Sequence, residues 1–173
     1  MKKLILQGIV ATLLAPLSFA VEAVSAVHGT ISKIDSGAKT IVVKTAEGTE
    51  HTFRFIAKTT VHGTEAGAKD TFRGLKEGTE VVAHYTAKGA EKTAVEVDQV
   101  GKDGLKAVDG TVSDIDRGGK QLVVKSADGT EQAFKLAEHA AAETGKGAEK
   151  SAKVTVYYTE NAGKKIAHFF ENH

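Results

Sequence analysis

The sequence predicts an all-β protein: two tandem five-stranded small barrels, OB-like or SH3-like, with short helical inserts. Three observations predict it. The greater part of the chain is written twice. Each copy alternates short runs rich in β-branched residues with glycine-centred turns. The 173 residues include 18 glycines, one proline and no cysteine or tryptophan, which fits short strands and tight turns held by packing rather than by disulfides.

The repeat opens at Val27-His28-Gly29-Thr30-Ile31-Ser32-Lys33-Ile34-Asp35, which returns 81 residues later as Val108-Asp109-Gly110-Thr111-Val112-Ser113-Asp114-Ile115-Asp116. At the same offset Lys39–Lys44 matches Lys120–Lys125, Gly48-Thr49-Glu50 matches Gly129-Thr130-Glu131, and Phe53 matches Phe134. Further on, Val81–Thr86 matches Val154–Thr159 at an offset of 73, because the second copy lacks one residue before Gly147-Ala148, the match of Gly67-Ala68, and has no counterpart of the seven residues Arg73–Thr79.

The elements follow in order. Val27–Asp35 is the first strand, and Ser36-Gly37-Ala38 turns the chain into a second, Lys39–Thr45. Glu47-Gly48, like Asp128-Gly129, supplies the positive φ that a tight hairpin needs. Thr49–Ile56 is the third strand, with Phe53 and Phe55 on one face. Thr64–Phe72 and its copy Glu138–Ala152 are rich in Ala, Glu, Lys and Gly and read as a short helix or a loop. Glu80–Thr86 and Lys92–Val100 complete the unit. Three strands, an insert and two strands is the order of an OB-type Greek-key barrel. Alternation puts Val81, Ala83 and Tyr85 inside and points His84 outward; in the copy, Val154, Val156 and Tyr158 are inside and Tyr157 points outward. The expected domains are 27–100 and 108–173, joined by a short linker over 101–107.

Met1-Lys2-Lys3, the apolar run Leu4–Leu17 and Ser18-Phe19-Ala20 form the three-part pattern of a secretory signal peptide over residues 1–20, with a second cleavage option near residue 26. Periplasmic or extracellular localisation is therefore expected, with no membrane span after cleavage. With no cysteine in the chain, a lipoprotein anchor is ruled out. The formal net charge is +1, and loss of Lys2 and Lys3 leaves the remainder near neutral, with charges of both signs interspersed. Such a chain has no electrostatic footprint for nucleic acid.

The Gly-Thr-Ile/Val starts, the Ile-Asp turns, the Val-Val-Lys strands, the Gly-Thr-Glu hairpins and Leu75–Thr79 leading into Val81–Thr86 form a recognisable pattern. It resembles secreted bacterial tandem small β-barrel (OB-like) domains of unknown function. The resemblance spans nearly all of the mature chain, although Leu75–Thr79 is missing from the second unit. It implies fold and export and brings no catalytic residue.

No nucleophile elbow, phosphate loop or tight His-x-His spacing is present. Asp35 and Asp116 recur at one turn and read as residues that bond their own backbone. The seven histidines read first as scattered surface residues. In an OB-type barrel the first and fourth strands are neighbours, so His28 and His84 are the pair that could form a weak copper, zinc or nickel site. Against this, the copy replaces them with Asp109 and Tyr157. His168 aligns with Val95 and is expected to have a packing role. The resulting expectation is a non-enzymatic, exported binding or structural module whose partner is an unknown envelope ligand or protein. The alternative is a metal-binding protein using the histidines of the first repeat; no other cofactor is expected.

Overall fold

The computed structural model describes residues 24–64, 68–116, 118, 120–143 and 149–173. The expected signal peptide therefore lies outside the described residues, as does Gly145-Lys146-Gly147. No helix among the described residues is long and apolar enough to cross a membrane.

In the first unit β1 (Ser25–Asp35), β2 (Thr40–Lys44) and β3 (Glu50–Arg54) form an antiparallel meander. β5 (Glu80–Lys88) then pairs with the free edge of β1, and β6 (Glu91–Gln99) pairs with β5. A parallel contact of β3 with β6 at Arg54 and Thr93 closes the ring. The second unit repeats it with β7 (Lys106–Asp116), β8 (Gln121–Lys125), β9 (Glu131–Leu136), β10 (Lys153–Asn161) and β11 (Lys164–Asn172) as a closed barrel. The first strand lies beside the fourth and the third runs parallel to the fifth, the OB-type order.

The two inserts differ. In the second unit α1 (Glu138–Glu143) follows the third strand. In the first, a three-residue strand not anticipated from the sequence, β4 (Thr60–His62), continues parallel pairing along β6 beyond the end of β3. Thr71–Gly74 form turns.

Each barrel is filled by alternate side chains. Phe53 and Phe134 are fully buried at equivalent places, among Ile31, Ile41 and Val43 in one unit and Val112, Leu122 and Val124 in the other. Gly29 and Gly110 sit where the first strand crosses the second: a Cβ there would strike the backbone carbonyl of Lys44 or Lys125. Glycine at this place in both copies is thus a demand of close backbone approach. Register also breaks at matching positions: Ser32 and Ser113 are skipped in the first strands, Val95 and His168 in the last. These are β-bulges, which re-aim a side chain by adding a residue to one strand.

Val81 and Ala83 lie in the first core, and Val154, Val156 and Tyr158 in the second. His84 and Tyr157 point out of their barrels but not into water: they are 1% and 4% exposed. The outer faces of the two units meet, and Val82, Leu105 and Tyr157 form a small third core between them, flanked by Ala26, Val100 and Phe169.

Candidate metal centre

Beside that third core lies a concentration of metal-ligand chemistry. On β6, Glu96 and Asp98 are two residues apart and share the outer face, with the buried core residue Val97 between them. The cross-strand partners bring more. His84 on β5 is opposite Glu96, and His62 on β4 is opposite Asp98. From the second unit, His139 arrives on α1 and His168 on the bulge of β11.

The ligand atoms converge. His62 Nδ1 is 2.9 Å from Asp98 Oδ1 and 3.2 Å from Glu96 Oε1. His139 Nε2 is 3.5 Å from Glu96 Oε2, and His84 Nε2 is 3.8 Å from Asp98 Oδ2. His168 Nδ1 lies 3.9 Å from Glu96 Oε1 and 4.0 Å from Asp98 Oδ2. The rings of His84 and His139 have centroids 5.6 Å apart. Donor atoms bound to one zinc ion at roughly 2.0–2.2 Å in a tetrahedron sit about 3.3–3.6 Å from one another. The spacing here brackets that value. One facet, His62 with Glu96 and Asp98, has one donor atom from each within 4.8 Å of the others.

Electrostatics point the same way. The Asp98 side chain is only 2% exposed, and its Oδ2 is buried with no hydrogen-bond partner among the described residues. Burial, and after it the Glu96 carboxylate, push the Asp98 carboxyl above the ordinary aspartate value, while His168, His62 and His84 pull it back. Burial also holds the His168 imidazole below its ordinary value, against the pull of Asp98 and Glu96. It is thus biased toward the neutral form that binds metals. Its other nitrogen, Nε2, is 3.0 Å from Thr159 Oγ1, which fixes the ring with Nδ1 toward the carboxylates. A cavity of about 300 Å³ adjoins the cluster, lined in part by His62, Asp98 and His168, and half-exposed His62 stands at its edge.

His28 and His84 lie on neighbouring strands, but their cross-strand partners are Val82 and Ala26, and they engage different groups. His28 Nε2 is 2.8 Å from Glu80 Oε1, and its Nδ1 is 3.0 Å from the Tyr157 hydroxyl and 3.4 Å from Glu171 Oε2. His84 alone of the pair reaches the cluster. His51 contacts Lys92, as Gln132 in the copy contacts Lys165, so the exchange preserves a lysine partner. His173 is 2.8 Å from Thr155 Oγ1. Asp35 accepts a hydrogen bond from the Ala38 backbone N–H, the turn role its sequence position suggests.

Sequence reasoning that weighs histidine spacings alone passes over Glu96 and Asp98. A signal for them exists: both alternate onto the outer face of the strand paired with the one carrying His84. Nothing comparable marks His62, His139 or His168, which tertiary folding brings in.

No protein-family model matches the chain, and no curated protein matches it. Among solved structures, a crystal structure of silver(I)-CusF aligns at 17% identity over 43% of this chain and 93% of that one, with a TM-score of 0.33. The Drosophila Unr CSD456 structure aligns at 12% identity over 86% of this chain and 61% of that one, with a TM-score of 0.36.

Proposed function

We propose that this chain is a binding module that holds a divalent transition-metal ion between two OB-type barrels. The observation that carries the reading is the triad His62, Glu96 and Asp98, whose donor atoms lie within 4.8 Å of one another, with His84, His139 and His168 standing 3.5 to 4.0 Å from its carboxylates. Imidazole and carboxylate together suit zinc, copper(II) or nickel(II), whereas calcium and magnesium prefer all-oxygen shells. Soft ions such as copper(I) would want thiolate or thioether, and the chain has no cysteine and a single methionine, Met1. A cation would also offset the charge on Asp98, which burial and the neighbouring Glu96 carboxylate disfavour.

With a secretory signal at residues 1–20, the module acts in the periplasm or outside the cell. Calorimetric titration of metal-free protein with zinc and copper(II) tests the reading. One-to-one uptake is expected, weakened at least about tenfold in His62→Ala, since even an outer-shell partner is worth that much. Absence of binding heat for every divalent ion tried would remove the proposal.

A further inference from the structure

We infer that the ion is a clasp: its binding fixes the two barrels against each other, and without it they shift. The inference rests on the metal reading above and adds what the ion does. The donors are divided across the seam. His62, His84, Glu96 and Asp98 come from β4, β5 and β6 of the first unit, and His139 and His168 from α1 and β11 of the second. An ion using donors from both sides ties the two barrels through coordinate bonds.

The rest of the seam is smaller than either core. Among the described residues its buried apolar cluster is Val82, Leu105 and Tyr157, against a core of at least ten such residues in each barrel. Without an ion, His139 and His168 face Glu96 and Asp98 across the seam at 3.5 to 4.0 Å, and Asp98 Oδ2 is buried with no hydrogen-bond partner among the described residues, so the side chains alone tie the two sides weakly there. The neighbouring cavity gives room for movement and a path for the ion. Asp103 and Gly104 from the segment joining the units also line it.

Asymmetry between the copies supports the same conclusion. Where the second unit has His168 on its bulge, the first has Val95 on the equivalent bulge. Where the first has Glu96 on the outer face, the second has Phe169. His139 and His168 come from the second unit alone, so the six-residue cluster exists only where the two barrels meet.

Pulsed electron-resonance distance measurement tests this. The native chain has no cysteine, so spin labels at Lys88→Cys and Lys125→Cys, both exposed, mark the two units uniquely in the full chain. Zinc, which is diamagnetic, should narrow a broad distance distribution, and a chelator should broaden it again. Calorimetry on the same labelled protein separates the failures. Zinc uptake with an unchanged distribution overturns the clasp and leaves the metal reading standing; absence of uptake overturns both. His168→Val places on β11 the residue that the first unit tolerates at the same bulge, and circular dichroism checks its fold. It should bind zinc at least about tenfold more weakly and, even at saturation, leave the distribution broader than in the parent. Narrowing equal to that of the parent would overturn the clasp.

Discussion

Burial and the Glu96 carboxylate act on Asp98 in the same direction, toward the protonated acid. An acid whose folded pKa is raised favours folding at low pH, and that contribution is lost as pH climbs from the unfolded value through the folded one. At neutral pH the metal-free protein therefore carries Asp98 at a cost. Asp98→Asn keeps the shape and an acceptor for His62 while removing the charge. It should leave the metal-free melting temperature unchanged or higher, yet abolish the rise that zinc produces; differential scanning calorimetry with and without zinc reads both. Tyr157 gives a pH dependence at the other end of the scale. Burial, then Glu171 and Glu80, raise its hydroxyl well above the ordinary tyrosine value, with Asp109 adding to the effect and His28 in contact at 3.0 Å. The stabilisation is present below the unfolded value of about 10 and is lost as pH rises beyond it. Denaturant midpoints should fall more steeply between about pH 9.5 and 11 in the parent than in Tyr157→Phe. At pH 7 the variant should be weaker by about 1 kcal/mol for the lost hydrogen bonding.

At the scale of elements, the bulges and crossing glycines do the shaping. Gly29 and Gly110 let β1 and β7 pass over the carbonyls of Lys44 and Lys125. Gly29→Ala should cost about 1–3 kcal/mol in urea unfolding, because backbone rather than a yielding side chain stands in the way. The same substitution at Gly78, where a Cβ meets nothing within 4 Å but φ is +83°, would act through backbone strain alone. These elements also show how far the sequence can be read. Alternation and repeat alignment locate the ten barrel strands, because period and turn chemistry are local and each copy checks the other. They do not reveal β4: three residues, Thr60-Val61-His62, have no period to detect, and their pairing with β6 depends on a partner more than thirty residues away. The role of His168 escapes as well, since a bulge reverses the face that simple alternation assigns.

The whole molecule joins two barrels that are each legible and a seam that is not. Alternation marks His84 and Tyr157 as outward-facing, but nothing local says that the outer faces of β5 and β10 meet, and that meeting is what brings His139 and His168 to the carboxylates of β6. The consequence can be tested through cooperativity. Phe134 is fully buried in the second core, far in sequence from the donors of the first unit. Phe134→Ala should cost about 3–5 kcal/mol by loss of packing and the cavity left behind. If the barrels are coupled through the ion, that loss is felt across the zinc-loaded protein, which unfolds in one transition at a lower temperature. With zinc chelated, the coupling is reduced to the small apolar seam. The same variant should then separate into two transitions, only the weaker one displaced from the parent, and Phe53→Ala should displace the other. Calorimetric traces of the two variants, each with zinc and with chelator, decide the matter. Two separate transitions in the presence of bound zinc would mean that the ion sits at the seam without joining the units.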